Sequence, residues 1–247
     1  MKTKLSIITT FASLFLILQS CTLDNFDGPD AQVIGAIRDS IDMNTLVEQD
    51  LISGSVIGVY EMSYTNPTLS NWRIMENGTY TNNLVFSNTY DIYLRNANFF
   101  PYTVKGQEIK SGQNTLDFMV YPYIRIKNPA IVLSPDGKTV TATFSLEAGK
   151  AGVKVSTIKL FAFGDMHVGF PLSFALAGAN TSKSLSNILI DNTITYTLSV
   201  DLTANSSLFQ SSRSYYFRIG AIAGALPITT GGTIRYNYAP TVSIALP

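Results

Sequence analysis

The stretch "TVTATFSLEA", residues 139–148, alternates without a break. Val140, Ala142, Phe144 and Leu146 fall on one side; Thr139, Thr141, Thr143 and Ser145 fall on the other. Period two belongs to extended chain, because successive side chains of a strand point to opposite faces. "ITYTLSVDL" at 194–202 repeats the pattern, with Ile194, Tyr196, Leu198, Val200 and Leu202 against Thr195, Thr197, Ser199 and Asp201. One apolar and one polar face imply antiparallel sheets laid with one side on a core.

The same reading extends along the chain. "AQVIGAIRDS" opens with a strand containing Gly35, and "SGSVIGVYEM" gives a strand apolar on both faces. "NNLVFSNTYDIYLRN" gives two strands, the second alternating Ile92 and Leu94 with Tyr93 and Arg95. "SYTNPTLSNWRIMENGTY" reads as a long polar connection, with Pro67 and the turn signal Asn77-Gly78. "SPDGK" at 134–138 is a tight turn. No helical period appears. The expectation is an all-β chain of two consecutive antiparallel β-sandwiches, residues 31–125 and 126–247, dividing near Pro129 where the strand pattern breaks.

Charge and cysteine content exclude several classes. Seventeen basic residues balance seventeen acidic ones, and no basic stripe appears, so nucleic acid is not expected as a partner. The single cysteine, Cys21, excludes an intramolecular disulfide framework and any multi-cysteine metal site.

The position of Cys21 carries its own information. Lys2 and Lys4 precede the apolar run "LSIITTFASLFLIL", which is too short to span a bilayer comfortably. "LQSC", Leu18 to Cys21, resembles the lipobox of bacterial lipoproteins, in which the cysteine becomes the first mature residue and carries acyl chains. The resemblance implies a signal peptide over 1–20, a lipid anchor on Cys21 and a tether over 21–30. Two or more acyl chains make such an anchor stable. The tether holds Asp24, Asp27 and Asp30, and resembles the acidic signal that sends Bacteroidetes lipoproteins to the outer face of the outer membrane. "DSI", Asp39 to Ile41, is similar to the O-glycosylation signal of the same bacteria, which would fall on Ser40.

Residues 31–125 resemble a carboxypeptidase-regulatory, transthyretin-like sandwich through "VIGAIRDS", "ENGTY", "NTYDIYL" and "GQNTLDFMV". Residues 126–247 resemble a fibronectin type III or Ig-like sandwich: "SRSYYFRIGA" looks like its strand F, with Tyr215 fixing the corner by a hydrogen bond to nearby backbone. The mature chain as a whole resembles a family of two-domain Bacteroidetes surface lipoproteins, through "NWRIMENGTY", "YDIYLRNANFFPY", "LEAGKAGVKVSTIKLFAFGDMHVG" and "YYFRIGA…RYNY". That resemblance implies a place in starch-utilisation-type glycan uptake loci, beside a TonB-linked transporter and its lipoprotein lid.

No catalytic set is legible, and neither an enzyme nor a cofactor nor a metal is expected. His167 is the only histidine, with Asp165 nearby in "FGDMHVG", and it reads as a loop residue. One histidine cannot furnish a usual zinc site, and no phosphate loop or calcium loop is present. Two carboxylates suffice for glycoside hydrolysis, but the acidic residues sit where solvated roles are the default.

Binding is the better expectation. Sugars present apolar CH faces and polar rims, which call for aromatic rings beside Asn, Arg, Gln and Asp. The segment 64–80 offers Tyr64, Trp72, Arg73 and Tyr80. "YLRNANFFPY" offers Tyr93, Arg95, Asn96, Asn98, Phe99, Phe100 and Tyr102. Tyr64, Trp72, Arg73, Tyr80, Asn96, Asn98 and Phe99 are the candidate ligand residues. Trp72 either meets a ligand or folds back onto the first core. Phe99 and Phe100 point opposite ways in extended chain, so one of them can serve a ligand, a partner protein or the seam between the sandwiches. Tyr236 and Tyr238 share a face if their segment is a strand. The function expected is accessory capture of a polysaccharide or oligosaccharide at the cell surface; the alternative is a docking subunit of the transporter complex that touches no glycan.

Overall fold

The structure, a computed structural model, describes residues 27–52, 54–224, 226 and 235–247. Cys21, its lipobox and the start of the acidic tether lie outside these residues. Every regular element among them is a strand. The first eight are β1 (Ala31–Asp39), β2 (Val56–Glu61), β3 (Leu69–Arg73), β4 (Thr79–Val85), β5 (Asn88–Arg95), β6 (Tyr102–Ile109), β7 (Gly112–Thr115) and β8 (Phe118–Val120). They make two facing sheets, one ordered β3-β2-β5-β6, the other β4-β1-β7 with β8 also on β1. Ile37, Ile57, Ile92, Leu94 and Phe118 fill the space between.

Two expectations are corrected in this half. The segment read as a long polar connection contains β3, an edge strand that sends Trp72 inward while Asn71 and Arg73 stay exposed. Its exposed Ser70, Asn71 and Arg73 hid the strand, because an edge with one solvated face needs few apolar residues. The sheets are also not purely antiparallel: β7 and β8 both run parallel to β1. The chain crosses from β6 in one sheet to the other sheet and returns beside β1 in the same direction.

The kink between β7 and β8 is held by Asp117, whose carboxylate accepts hydrogen bonds from Ala36 N at 2.8 Å and Arg38 Nε at 2.7 Å. Gly35 makes the kink possible. A Cβ on it would stand 1.9 Å from the carbonyl oxygen of Leu116, which is backbone and cannot swing aside. Gly35→Ala is therefore expected to cost about 1–3 kcal/mol or more through overpacking. Differential scanning calorimetry checks this; an unshifted midpoint would contradict the clash. Asp30, expected in the tether, belongs to the fold: its carboxylate accepts Ser87 N at 2.6 Å and Ser87 Oγ at 2.8 Å.

The remaining strands are β9 (Ile124–Leu133), β10 (Thr139–Ala148), β11 (Lys154–Phe163), β12 (Ser182–Leu189), β13 (Thr195–Asp201), β14 (Ser214–Ala223), β15 (Tyr236–Tyr238) and β16 (Val242–Ala245). They form sheets β13-β10-β9 and β12-β11-β14-β15, with β16 also on β14. Val140, Ala142, Phe144 and Leu146 of β10 and Tyr196, Leu198 and Val200 of β13 face the enclosed core, as their alternation requires. Tyr215 Oη accepts a hydrogen bond from Gln210 N at 2.7 Å, the corner contact expected of it. Pro129 does not end a strand. It lies inside β9, an edge strand, at a register shift against β10 where a missing N–H is harmless. β9 accordingly starts at Ile124, ahead of the expected division at 126.

β14 is buried along most of its length because both of its faces are covered. Phe217, Ile219 and Ala221 enter the second core. Arg218 and Gly220 point the other way, where Phe161, Val168, Tyr236 and Tyr238 form a third apolar cluster. Segment 47–50 and segment 97–100 of the first half close over this face. Phe99 belongs to the first core and Phe100 to the second, so the consecutive pair stitches the two halves together.

Candidate functional site

The structure disperses the seven residues singled out for ligand binding. Trp72, Tyr80, Asn98 and Phe99 are buried. Trp72 stacks near Tyr80 with ring centroids 6.4 Å apart and meets Tyr90 edge-on at 6.0 Å. Tyr80 in turn stacks on Phe118 at 5.9 Å and donates its hydroxyl to Leu116 O at 2.5 Å. Burial pushes the Tyr80 hydroxyl above the ordinary tyrosine range and holds it neutral. Such rings have no face left for a sugar. The expectation for these four is corrected: aromatic content in a polar stretch signalled a core-facing edge strand. Tyr64 and Arg73 are exposed, and Asn96 is half-buried at a left-handed φ of 52° where the chain leaves β5.

Asn98 works at the seam. Its Nδ2 donates to Glu48 O at 2.6 Å and Tyr236 O at 3.0 Å, and its Oδ1 accepts from Gln49 Nε2 at 3.1 Å. Asn237 reciprocates, donating to Asn98 O at 2.8 Å and accepting from Ile124 N at 3.1 Å. Arg218 donates to Ala239 O, Gln49 O and Val168 O at 3.1–3.2 Å, pairs with Glu48, and lies 4.0 Å above the Tyr238 ring. The Tyr238 hydroxyl bonds Asp50. Burial pushes the Glu48 and Asp50 carboxyls above their ordinary range, partly offset at Glu48 by Arg218 and at Asp50 by Tyr238. At the rim, Arg125 pairs with Asp39 and with Glu147 at 3.2 Å, and His167 Nδ1 lies 2.9 Å from Glu76 Oε2. His167 thus serves a cross-seam contact, and the Glu76 hydrogen bond raises its pKa. A cleft of about 540 Å³ opens beside Arg125, whose guanidinium is already paired with Asp39 and Glu147.

The outer face of the β3-β2-β5-β6 sheet has a different character. The register places Leu69, Tyr60 and Asp91 in one row, Asn71, Gly58, Tyr93 and Thr103 in the next, and Arg73, Val56 and Arg95 in a third. Tyr60 and Tyr93 meet edge to face, 5.6 Å apart and 85° inclined. Lys105 Nζ lies 4.4 Å over the Tyr93 ring, bonds its hydroxyl, and pairs with Asp91 Oδ2 at 2.7 Å. The Lys105 hydrogen bond, and then that from Gly106 N, holds the Asp91 carboxyl below its ordinary range.

Gly58 lets its neighbours close in over the middle of this face: a Cβ there would stand 3.1 Å from Leu69 Cδ1, 3.3 Å from Tyr93 O and 3.4 Å from Arg95 Nε. Beside it lies an open trough of about 550 Å³ lined by Tyr60, Leu69, Tyr93, Arg95, Pro101 and Thr103 among others. Aromatic rings, an aliphatic rim and fixed polar groups on a rigid sheet are the ingredients of a shallow ligand platform. Of the candidates, Arg73 lies on this face and Tyr64 lines a separate groove with Leu84 and Phe86. Tyr60, Asp91 and Lys105 were missed. Reading β2 as apolar on both faces concealed that Gly58 and Tyr60 share the side opposite Ile57 and Val59. Among the described residues, no group of three or more His, Cys, Asp or Glu is placed to hold a metal ion.

Residues 124–240 match the family described as a domain of unknown function, DUF3823_C. No curated protein matches the chain. A crystal structure from Bacteroides uniformis, of a protein for which carbohydrate binding has been suggested, is 44% identical, covering 89% of this chain and 100% of that one with a TM-score of 0.82. DUF3823 family proteins from Parabacteroides merdae and Bacteroides ovatus share the fold at 17% and 18% identity, with TM-scores of 0.67 and 0.69, each over 88% of this chain and 100% of their own.

Proposed function

We propose that this chain, whose residues 124–240 match the DUF3823_C family, binds glycans, without turnover, on the outer face of its β3-β2-β5-β6 sheet. The observation that carries the reading is the Tyr60–Tyr93 pair lining the open trough, with Arg95 and the Lys105–Asp91 pair beside it. Tyrosine rings cover the CH face of a pyranose and keep a polar hydroxyl for its rim. The suggested carbohydrate binding of the Bacteroides uniformis relative supports the same class of ligand. In this proposal Cys21 carries the acyl chains that hold the protein at the outer membrane, facing outward, where it captures polysaccharide for a TonB-linked transporter and its lipoprotein lid.

A glycan array followed by isothermal titration calorimetry on residues 22–247 tests the reading. Tyr93→Ala is expected to weaken binding at least about tenfold, or roughly 1.4 kcal/mol, as loss of a central aromatic contact does. Unchanged affinity in both Tyr93→Ala and Tyr60→Ala would remove the platform from the account. Sugar release at catalytic turnover would overturn the non-catalytic assignment.

The docking alternative has an observation of its own. Tyr64, Leu84 and Phe86 line one groove at the edge of the first half, and Leu84 is 77% exposed. Contiguous exposed apolar groups mark partner surfaces. Loss of co-purification with outer-membrane complexes in Leu84→Asp, with glycan binding retained, would assign docking to that groove.

A further inference from the structure

The outer face of this sheet carries arginine charge that nothing among the described residues neutralises. Arg95 and Arg73 flank Val56 in one cross-strand row. Neither forms an ion pair among the described residues. The nearest acid in the sheet register, Asp91, is occupied by Lys105 at 2.7 Å. Arg95 is also pinned. Its Nε is buried without a hydrogen-bond partner, packed closely over Gly58, and Arg95 lines the trough. A buried donor left unmet is costly, and a guanidinium offers a planar fork that matches a carboxylate with two parallel hydrogen bonds. Arginines elsewhere in the chain show what satisfaction looks like here: Arg125 and Arg218 each hold carboxylates.

We propose that the platform is selective for acidic glycans, with a uronate carboxylate held by the terminal nitrogens of Arg95, Arg73 supplying a second positive charge, and the sugar ring against Tyr60 and Tyr93. This rests on the platform reading and adds the ligand class. Arg95 is the specificity residue and Tyr93 the contact shared by every sugar.

The test uses oligogalacturonate, the same oligomers with their carboxyls reduced to alcohols, and dextran sulfate, each titrated into residues 22–247. Oligogalacturonate is expected to bind at least about tenfold tighter than its reduced form, with affinity falling as salt rises. Arg95→Gln is expected to erase that preference, bringing the acidic oligomer down to the affinity of the reduced one; Tyr93→Ala is expected to weaken both. Circular dichroism and thermal melts establish that both variants are folded. Equal affinity for the acidic and reduced oligomers, with both lost in Tyr93→Ala, would overturn acid selectivity and leave the platform standing. Binding of dextran sulfate but not oligogalacturonate would overturn the carboxylate assignment. No binding of any probe, or binding indifferent to both variants, would overturn the selectivity and the platform together.

Discussion

Trp72→Ala is expected to destabilise the protein by about 3–5 kcal/mol, the usual cost of removing a large buried aromatic ring. The ring is 5% exposed and sits between Tyr80 and Tyr90 in the first core. Its loss also deprives Tyr80 of a stacking neighbour, so the cavity cannot close without disturbing the Tyr80 hydrogen bond to Leu116. Urea unfolding followed by far-ultraviolet circular dichroism gives the number. Because Trp72 lies in the core, its fluorescence reports unfolding of the first half and is expected not to shift on glycan binding. A loss below about 1 kcal/mol would show that the ring does not pack as described, and a large loss of glycan affinity in a variant of unchanged stability would return Trp72 to the ligand.

The contrast between Trp72 and Tyr93 shows where sequence reasoning succeeds. Period two in "TVTATFSLEA" and "ITYTLSVDL" is set by local geometry, so β10 and β13 and the direction of their side chains were legible. Tyr215 was legible through the resemblance of its segment to an Ig-like strand F, and its contact, Gln210, is five residues away. β3 was not, since an edge strand with Ser, Asn and Arg facing water looks like a loop until a partner strand is known. The parallel pairing of β7 and β8 with β1 joins residues far apart in the chain, and no local pattern encodes it. The candidate site suffered likewise. Asp91, Tyr93 and Arg95 share one face by alternation alone, but only registration against β2 and β6 brings Tyr60, Gly58 and Lys105 beside them. Within the two aromatic stretches Trp72, Tyr80, Phe99 and Phe100 went to the core, because an aromatic ring gains more from a core than from water.

The seam explains why the two halves are expected to behave as one body. Arg218 and Asn98 each bond backbone or side chains on both sides of it. Backbone carbonyls that would otherwise be buried without donors, at Gln49, Val168 and Ala239, are all met by one guanidinium. Such a network rigidifies only while every member is satisfied. This places the trough on a fixed scaffold, since β5 runs directly into Asn98 and Phe99 through the turn at Asn96.

Arg218→Ala is accordingly expected to cost about 3–5 kcal/mol, the range for breaking a buried ion pair by removing one partner. The Arg218 side chain is 1% exposed, so water does not replace what is lost. The sign of the pH dependence follows from the carboxyls. Burial raises Glu48 and Asp50 above their unfolded values, so the folded state holds their protons more tightly than the unfolded chain does. Their contribution to stability is present at low pH and is lost as the pH rises through their folded values. Arg218 offsets that loss through its charge at both groups. Without it the loss deepens, so the variant is expected to be less impaired at about pH 4 than at about pH 8. Glu48→Gln combined with Asp50→Asn in the Arg218→Ala background removes the stranded charges and is expected to recover part of the stability at the higher pH. Equal destabilisation at both pH values, or no recovery in the triple variant, would assign the role of Arg218 to its packing over Tyr238 and its carbonyl contacts, not to its charge.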